Sequence, residues 1–436
     1  MSDNDTTSEI IWHPYTQTKT SPAPIKAERA IGCKIIDANG KEYLDMISSW
    51  WVNLHGHSHP KITEAIIEQT KNLAHIMFAS FTHQPALTLA KRLCELLPGN
   101  TLSKVFFSDN GTFAVETALK IALQYWHNKG KKDKTRFIAF QNGYHGDGFG
   151  AMSVGKTCGF NYAPFENHLF KVDFVPYAST WIDDTEIEKR EKVSLEALKL
   201  QIKENGINTA ALIIEPLIQG SGGFHFCRPE FLREVVMLCK ESSILVIFDE
   251  IMTGFGRTGK MFACEKAGAI PDIICLAKAM SGGFLPLSAT ITTEEIHDLF
   301  VADDIHKALI HGTTYSGNPI ACSAANASID IFSEENTLEK ISSIEELHLA
   351  RIADITQKGS AIKRPRVMGS VAAFNVFDSN SNYSAKVGQV LRQRFLDNGL
   401  LIRPFGNVIH LMPPYCITDE QLNYAYDKID EILSEL

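Results

Sequence analysis

Two short apolar runs constrain this chain more than any other feature: Ile244-Leu245-Val246-Ile247-Phe248 and Ile273-Ile274-Cys275-Leu276-Ala277. Both are short and rich in branched side chains, so they read as strands covered on both faces rather than as helices. The first ends in Asp249-Glu250 and the second in Lys278. Ligands of open α/β sheets sit beyond the carboxyl ends of strands, which makes Asp249 and Lys278 candidates for one site. A lysine against apolar walls loses its proton readily and becomes a carbonyl nucleophile. Enzymes built around pyridoxal phosphate use such a lysine, with an aspartate as partner of the pyridinium nitrogen. A surface lysine and a strand-end acid in an unrelated α/β protein would leave the same trace.

With 436 residues the chain is longer than one core usually organises, so two domains are expected. Its 44% hydrophobic and 21% charged residues are ordinary for a soluble globular protein. A net charge of -9 argues against nucleic acid or anionic membrane as a partner. No apolar run is long enough to span a bilayer, and the acidic start MSDNDTTSE reads as a disordered lead over residues 1–10, not as a secretion signal. The 9 cysteines are scattered without a CxxC pair, which fits a reduced cytoplasm and no cysteine-bound metal.

Along the chain, residues 28–54 read as a hairpin turning at Asn39-Gly40. Extended backbone through Trp50-Trp51 would send the two rings to opposite sides, one to the core and one to a ligand wall. His55, His57 and His59 alternate, but Gly56 and Pro60 mark a turn and no acid or cysteine joins them, so no metal is expected. Helices are expected over 61–73, 84–97, 112–127, 194–204, 229–241, 320–332, 337–358, 384–398 and 418–436. Strands are expected over 104–107, 136–140, 210–214, 287–291, around 366–377, and at 400–404. Ser108 to Thr112 joins a strand to a helix start, where backbone N–H groups favour a phosphate. Tyr144 follows a strand and could stack on a planar ring. Arg403 closes an apolar strand and needs a carboxylate, from a substrate or from within the chain. Gly254-Phe255-Gly256-Arg257-Thr258-Gly259 is formally GxGxxG. It does not fit a dinucleotide fold, because Asp249 to Thr253 separate it from the strand and no helix follows directly.

Asp249-Glu250-Ile251, then Thr253 to Gly259, then Leu276-Ala277-Lys278, resemble the class III pyridoxal-phosphate-dependent aminotransferases, and the likeness runs from about residue 12 to 434. Trp12-His13-Pro14-Tyr15, Ser49-Trp50-Trp51, Asn142 to Asp147, Ile402 to Gly406 and Leu411 to Tyr415 are similar to one branch of that family. That branch converts 8-amino-7-oxononanoate to 7,8-diaminononanoate in biotin biosynthesis, usually with S-adenosylmethionine as amino donor. The alternatives are the same reaction with lysine as donor, or a relative acting on a diamine or ω-amino acid. The resemblance implies an α/β protein of transferase fold type I, with a mostly parallel sheet in a large domain over 56–334. A smaller α+β domain would combine 11–55 with 335–436, and a homodimer would share its active sites.

The same resemblance implies pyridoxal 5'-phosphate as cofactor. Lys278 would carry it and shuttle protons, with Asp249 at the ring nitrogen and Tyr15 beside them. Gly111 and Thr112 would take the phosphate, with Thr314 reaching in from the partner subunit. Tyr144 and Ile251 would cover the two ring faces, and Arg403 would bind the substrate carboxylate. Tyr15, Trp50, Trp51, Tyr144 and Tyr415 would line the substrate channel, and Asp147, Arg257 and Gly312 would complete the substrate positions. Two departures stand out. Asn110-Gly111-Thr112 replaces an expected Ser-Gly-Ser, and Thr313-Thr314-Tyr315-Ser316 replaces Pro-Thr-Phe-Met. The second bears on the identity of the donor.

Overall fold

The computed structural model describes residues 10–157, 162–359, 361–377 and 386–435; nearly all of the expected disordered lead lies outside them. In chain order the structure begins with β1 (Ala27–Ile31), β2 (Lys34–Asp37), β3 (Glu42–Asp45), α1 (Pro60–Asn72) and α2 (Gln84–Leu96). There follow β4 (Leu102–Ser108), α3 (Gly111–Asn128), β5 (Arg136–Phe140), β6 (Asp173–Val175), α4 (Ile187–Asn205) and β7 (Thr209–Ile214). Next come β8 (Ile218–Gln219), β9 (His225–Phe226), α5 (Pro229–Glu241), β10 (Leu245–Asp249), β11 (Ile273–Leu276) and β12 (Ser288–Thr293). The last part holds α6 (Pro319–Glu334), α7 (Thr337–Gln357), β13 (Ile362–Met368), β14 (Val371–Val376), α8 (Lys386–Asp397), β15 (Leu400–Leu401), β16 (Val408–Leu411) and α9 (Asp419–Ser434).

The two founding runs lie side by side at the centre of a seven-stranded sheet of order β4-β12-β11-β10-β7-β5-β6. β10 pairs in parallel with both β11 and β7, and only β12 runs against its neighbours. Alternate side chains go to opposite faces. Ile213, Ile247, Ile273 and Cys275 join Ala114, Ala118 and Ala122 of α3 in one core. Leu212, Ile214, Val246, Phe248, Ile274 and Leu276 belong to the other core, with Phe231, Leu232 and Val235 of α5. Both faces are therefore covered, which is why these strands are apolar throughout. The carboxyl ends of β4, β5, β7, β10 and β11 then release five loops at one edge of the sheet.

Two smaller sheets complete the structure. β13, β14 and β16 form an antiparallel sheet, and β1-β2-β3 is extended in parallel by β15 from the far end of the chain. Among the described residues no helix is long and apolar enough to cross a membrane.

The structure departs from expectation at three places. α4 begins at Ile187, two turns early, because Glu191 and Ser194 occupy inward positions and hide the apolar period. Glu191 is held there by Arg228, whose Nε and Nη2 donate to its two oxygens at 2.8 and 2.5 Å. The strand expected at 400–404 pairs only at Leu400 and Leu401, since Pro404 brings no N–H to a ladder. Residues 48–51 are not extended. Ser48, Ser49, Trp50 and Trp51 all have positive φ, at 48, 45, 74 and 71°. Such backbone costs of order 1–3 kcal/mol per residue unless its surroundings hold it. Asp45 does so: Oδ1 accepts the N–H groups of Ile47 and Ser49, and Oδ2 accepts the Ser49 hydroxyl at 2.7 Å and meets His57 Nε2 at 2.9 Å. Trp51 is buried and Trp50 is 40% exposed, so the two rings part at this turn and not along a strand.

The three alternating histidines separate. His55 meets Ser328 at 3.0 Å, His57 meets Asp45, and His59 meets Glu335 at 3.0 Å.

One buried cation aligns the central strands. Lys134 Nζ donates to the carbonyls of Gly206, Thr209 and Ser243 at 3.1, 2.8 and 2.9 Å, just before β5, β7 and β10. Burial pushes its pKa down to about 8. Lys134→Met removes the ammonium donor shared by three carbonyls and should lower stability by about 2–3 kcal/mol. Urea unfolding measures this, and a loss below ~0.5 kcal/mol would show that the clip is dispensable.

Candidate active site

The five loops enclose a cavity of about 270 Å³. Its lining includes Asp249, Lys278, Gly111, Thr112, Tyr144 and Trp51, drawn from widely separated parts of the sequence.

Asp249 ends β10 and is 4% exposed. His145 Nδ1 donates to its Oδ2 at 2.7 Å, and the Ile251 N–H donates to Oδ1 at 3.1 Å. The carboxylate is thus held at both oxygens. Lys278 follows β11 in a left-handed conformation, with φ at 44°. Its Nζ lies 4.6 Å from the centre of the Trp51 ring. Burial pulls the Lys278 pKa below its ordinary value, opposed by Asp249 and Glu215 and assisted by Arg257. An amine whose proton is loosened by burial, in one cavity with a carboxylate held at both oxygens, suits nucleophilic and proton-transfer chemistry.

At one end of the cavity α3 begins. Asn110 caps it, accepting the Phe113 N–H at 3.2 Å, so its first-turn N–H groups at Gly111 and Thr112 have no acceptor within the helix. Gly111 packs tightly: a Cβ there would come within 3.0 Å of the Ile251 side chain. Gly146 closes on the same corner, with φ at 126° and room for no Cβ, which would lie 2.4 Å from Thr112 Oγ1. This corner can receive an anion at a helix N-terminus.

At the mouth, the Tyr15 hydroxyl donates to Asp147 Oδ2 and lies 3.2 Å from the Tyr144 hydroxyl. The Tyr15 ring meets Trp50 at 5.6 Å, and the Arg403 guanidinium lies 4.8 Å over Trp50. Tyr15, Trp50, Tyr144, Asp147 and Arg403 therefore form one cluster, as a substrate with a carboxylate tail would need.

Four expected residues lie elsewhere. Arg257 is fully buried and does not border the cavity. Its Nη1 donates to Pro413 O at 3.1 Å, and its Nη2 to the carbonyls of Trp51 and Asn53 at 3.3 Å. Tyr415 lies beneath that guanidinium, 4.9 Å from it, and its hydroxyl donates to Phe255 O at 2.8 Å. Within this chain Arg257 braces the Trp51 turn, because its irregular backbone leaves carbonyls that need donors. Gly312 and Thr314 are exposed and outside the cavity. Their segment is tied down around them: His311 Nε2 lies 3.1 Å from Thr117 Oγ1, and Thr313 Oγ1 donates to Asp109 at 2.6 Å.

Glu215 lines the cavity with no role assigned from sequence, though it ends a strand as Asp249 does. Its oxygens accept the N–H groups of Tyr144 at 3.0 Å and Gly220 at 2.9 Å. His145 adjoins Tyr144 and was equally unmarked. Burial pushes Glu215 and its neighbour Glu250 up to about 7. Both hold their protons more tightly folded than unfolded. The stability they contribute is fully present below about pH 4.5 and is lost as pH rises through 7. Glu215→Gln should remove one such titration. Its stability relative to the parent should rise by about 3 kcal/mol from pH 4.5 to 7.5. Urea midpoints across that range provide the check, and a constant difference would refute the assignment.

The class III aminotransferase model ("Aminotransferase class-III") matches residues 15–433. The adenosylmethionine-8-amino-7-oxononanoate aminotransferase of Synechococcus elongatus is 45% identical over 98% of this chain and 99% of its own length. The protein of that name from Helicobacter pylori is 39% identical over 98% of this chain and 97% of its own. The crystal structure of the Methanocaldococcus jannaschii protein of that name superposes with a TM-score of 0.91 at 36% identity, covering 99% of this chain and 98% of its own. A PLP-bound amine transaminase from an uncultivated Pseudomonas species superposes at 0.89 with 29% identity, covering 98% of each chain. With a family match over nearly the whole chain and relatives up to 45% identical along its length, the chain belongs to the class III aminotransferases.

Proposed function

We propose that this chain aminates 8-amino-7-oxononanoate to 7,8-diaminononanoate in biotin biosynthesis, with pyridoxal 5'-phosphate as cofactor and S-adenosylmethionine as amino donor. The observation that carries it is the meeting of Lys278 and Asp249 in one cavity, from whose Tyr144 a chain of contacts leads through Tyr15 to Trp50 and Arg403. The names of the relatives at 36–45% identity support the substrate pair.

The residues present fit the cofactor. The N–H groups of Gly111 and Thr112 suit its phosphate, Tyr144 and Ile251 offer walls for a flat ring, and Asp249 offers a carboxylate to a protonated ring nitrogen. When bound, the ring acts as the electron sink for the carbon that loses its proton. His145 holds the Asp249 carboxylate in orientation through its bond to Oδ2. Lys278 accepts and returns a proton at Nζ, which burial makes easier by lowering its pKa from the ordinary lysine value. Arg403 holds the acceptor's carboxylate by charge-assisted hydrogen bonds, and the rings of Trp50 and Tyr15 cover its aliphatic chain. Exclusion of water by these rings protects the reacting carbon.

We assign residues 56–334 to a large lobe and 11–55 with 335–436 to a smaller one. The sheet shared by β3 and β15 supports that joining of the two ends. A homodimer is part of the reading: exposed Ile310, Gly312, Thr314 and Tyr315 are placed to meet a second copy, with Thr314 serving the partner's cofactor. Lysine as donor is the second reading. It is kept because the segment around Ser316, which is buried and 3.0 Å from the Thr313 hydroxyl, departs from the family pattern expected near the donor.

Absorbance of the cofactor-loaded protein tests both. S-adenosylmethionine alone should convert the cofactor to its amine form, and 8-amino-7-oxononanoate should reverse the change. Conversion by lysine alone would transfer the donor role, and reversal by neither would reject the acceptor. Lys278→Ala should abolish turnover. Arg403→Met should raise KM for the acceptor about 10- to 100-fold while changing kcat far less, as expected for a lost carboxylate contact; an unchanged KM would move the carboxylate elsewhere.

A further inference from the structure

The ring beneath Lys278 is itself held by a histidine that amine transfer, as described above, does not use. The Trp51 indole N–H donates to His410 Nε2 at 3.2 Å. His410 lies on β16 and is 1% exposed. It stacks on Phe224 with 4.1 Å between ring centres and 17° between planes, and Phe405 stands 5.2 Å away. Among the described residues its Nδ1 has no hydrogen-bond partner. Accepting at Nε2 requires the neutral ring with its proton on Nδ1. Burial and the nearby Arg403 charge keep the ring neutral, with a pKa pushed down to about 3.

We propose that His410 is a positioning residue for amine transfer, fixing through its Nε2 the plane of the Trp51 indole on which Lys278 rests. This rests on the class III reading of Lys278. Arg257 holds the backbone of Trp51 but not the rotation of its ring. The indole has one polar atom, and His410 accepts from it. A ring that presents its face to Nζ stabilises the ammonium, whereas a ring edge does not. The hydrogen bond at the far side of the indole therefore sets how readily Lys278 gains and releases its proton. Two observations meet here: the 4.6 Å contact of Nζ with the ring and the 3.2 Å bond behind it.

His410→Phe keeps an aromatic ring against Phe224 and removes the acceptor. His410→Gln restores an acceptor oxygen at a similar reach. In the loaded enzyme, the Phe variant should lose about tenfold in kcat with KM for the acceptor within about twofold, and the Gln variant should recover most of the loss. Labelling the 5 tryptophans with nitrogen-15 gives a readout that needs neither cofactor nor turnover. The Trp51 indole signal, identified by its loss in Trp51→Phe, should be protected from exchange in the parent and the Gln variant. It should exchange at least tenfold faster in the Phe variant. Rapid exchange in the parent protein would overturn the proposal without any His410 variant, which covers the case where the Phe variant does not fold. Unchanged kcat in the Phe variant, or equal losses in Phe and Gln with the indole still protected, would also overturn it. A parent that transfers no amine would reject the proposed function, while the indole signal would still decide the hydrogen bond.

Discussion

Three carboxylates buried at the carboxyl edge of the main sheet make the surrounding loops fold as they do. Asp249, Glu215 and Glu250 are each no more than 5% exposed. Removing a carboxylate from water costs several kcal/mol unless donors replace the solvent. His145 and the Ile251 N–H serve Asp249, the N–H groups of Tyr144 and Gly220 serve Glu215, and those of Ala263 and Cys264 serve Glu250. These donors lie in the loops after β5, β7 and β10. Satisfying the acids therefore draws those loops over the sheet edge and makes them the walls of the cavity. Of the three, Asp249 is the one with an imidazole against its carboxylate, which suits it to face a cationic ring.

A second constraint joins the two ends of the chain to that edge. The left-handed turn at Ser48–Trp51 persists because Asp45 satisfies it from within, while Ser48 Oγ donates to Met412 O and Arg257 binds Trp51 O and Pro413 O. Met412 and Pro413 follow β16, so the far end of the chain holds a turn near its start. This arrangement sets Trp51 beneath Lys278 and leaves Trp50 at the mouth beside Arg403. The surroundings of Lys278 and of Arg403 thus share one piece of strained backbone.

Much of the site was legible in the sequence because Asp249 and Lys278 each close an apolar run, and a run buried on both faces can carry a charged residue only at its end. Glu215 bears the same mark and passed without a role. The corner at Gly111 and Thr112 was legible as a strand, a glycine and a helix start. Arg257 and Tyr415 were expected at the substrate through resemblance alone, and in this chain the contacts of Arg257 reach the backbone of the turn. Nothing in the residue string distinguishes an arginine whose donors meet ligand oxygens from one whose donors meet backbone carbonyls. The backbone of Trp50 and Trp51 was misjudged for a similar reason. Its partners Asp45, Met412 and Arg257 are too scattered for a local pattern to reveal.

The sequence by itself determined the parallel strands, their order of burial and the identity of the two groups that face the cavity. Periodicity and run length are local properties, and a covered strand permits few alternatives. Only the tertiary structure decided which loops supply donors to the buried acids, that His145 stands behind Asp249, and that His410 stands behind Trp51. Those pairings join residues 104 and 359 positions apart. They follow from the need of each buried polar atom for a partner within hydrogen-bond reach, a condition that only the folded chain can meet.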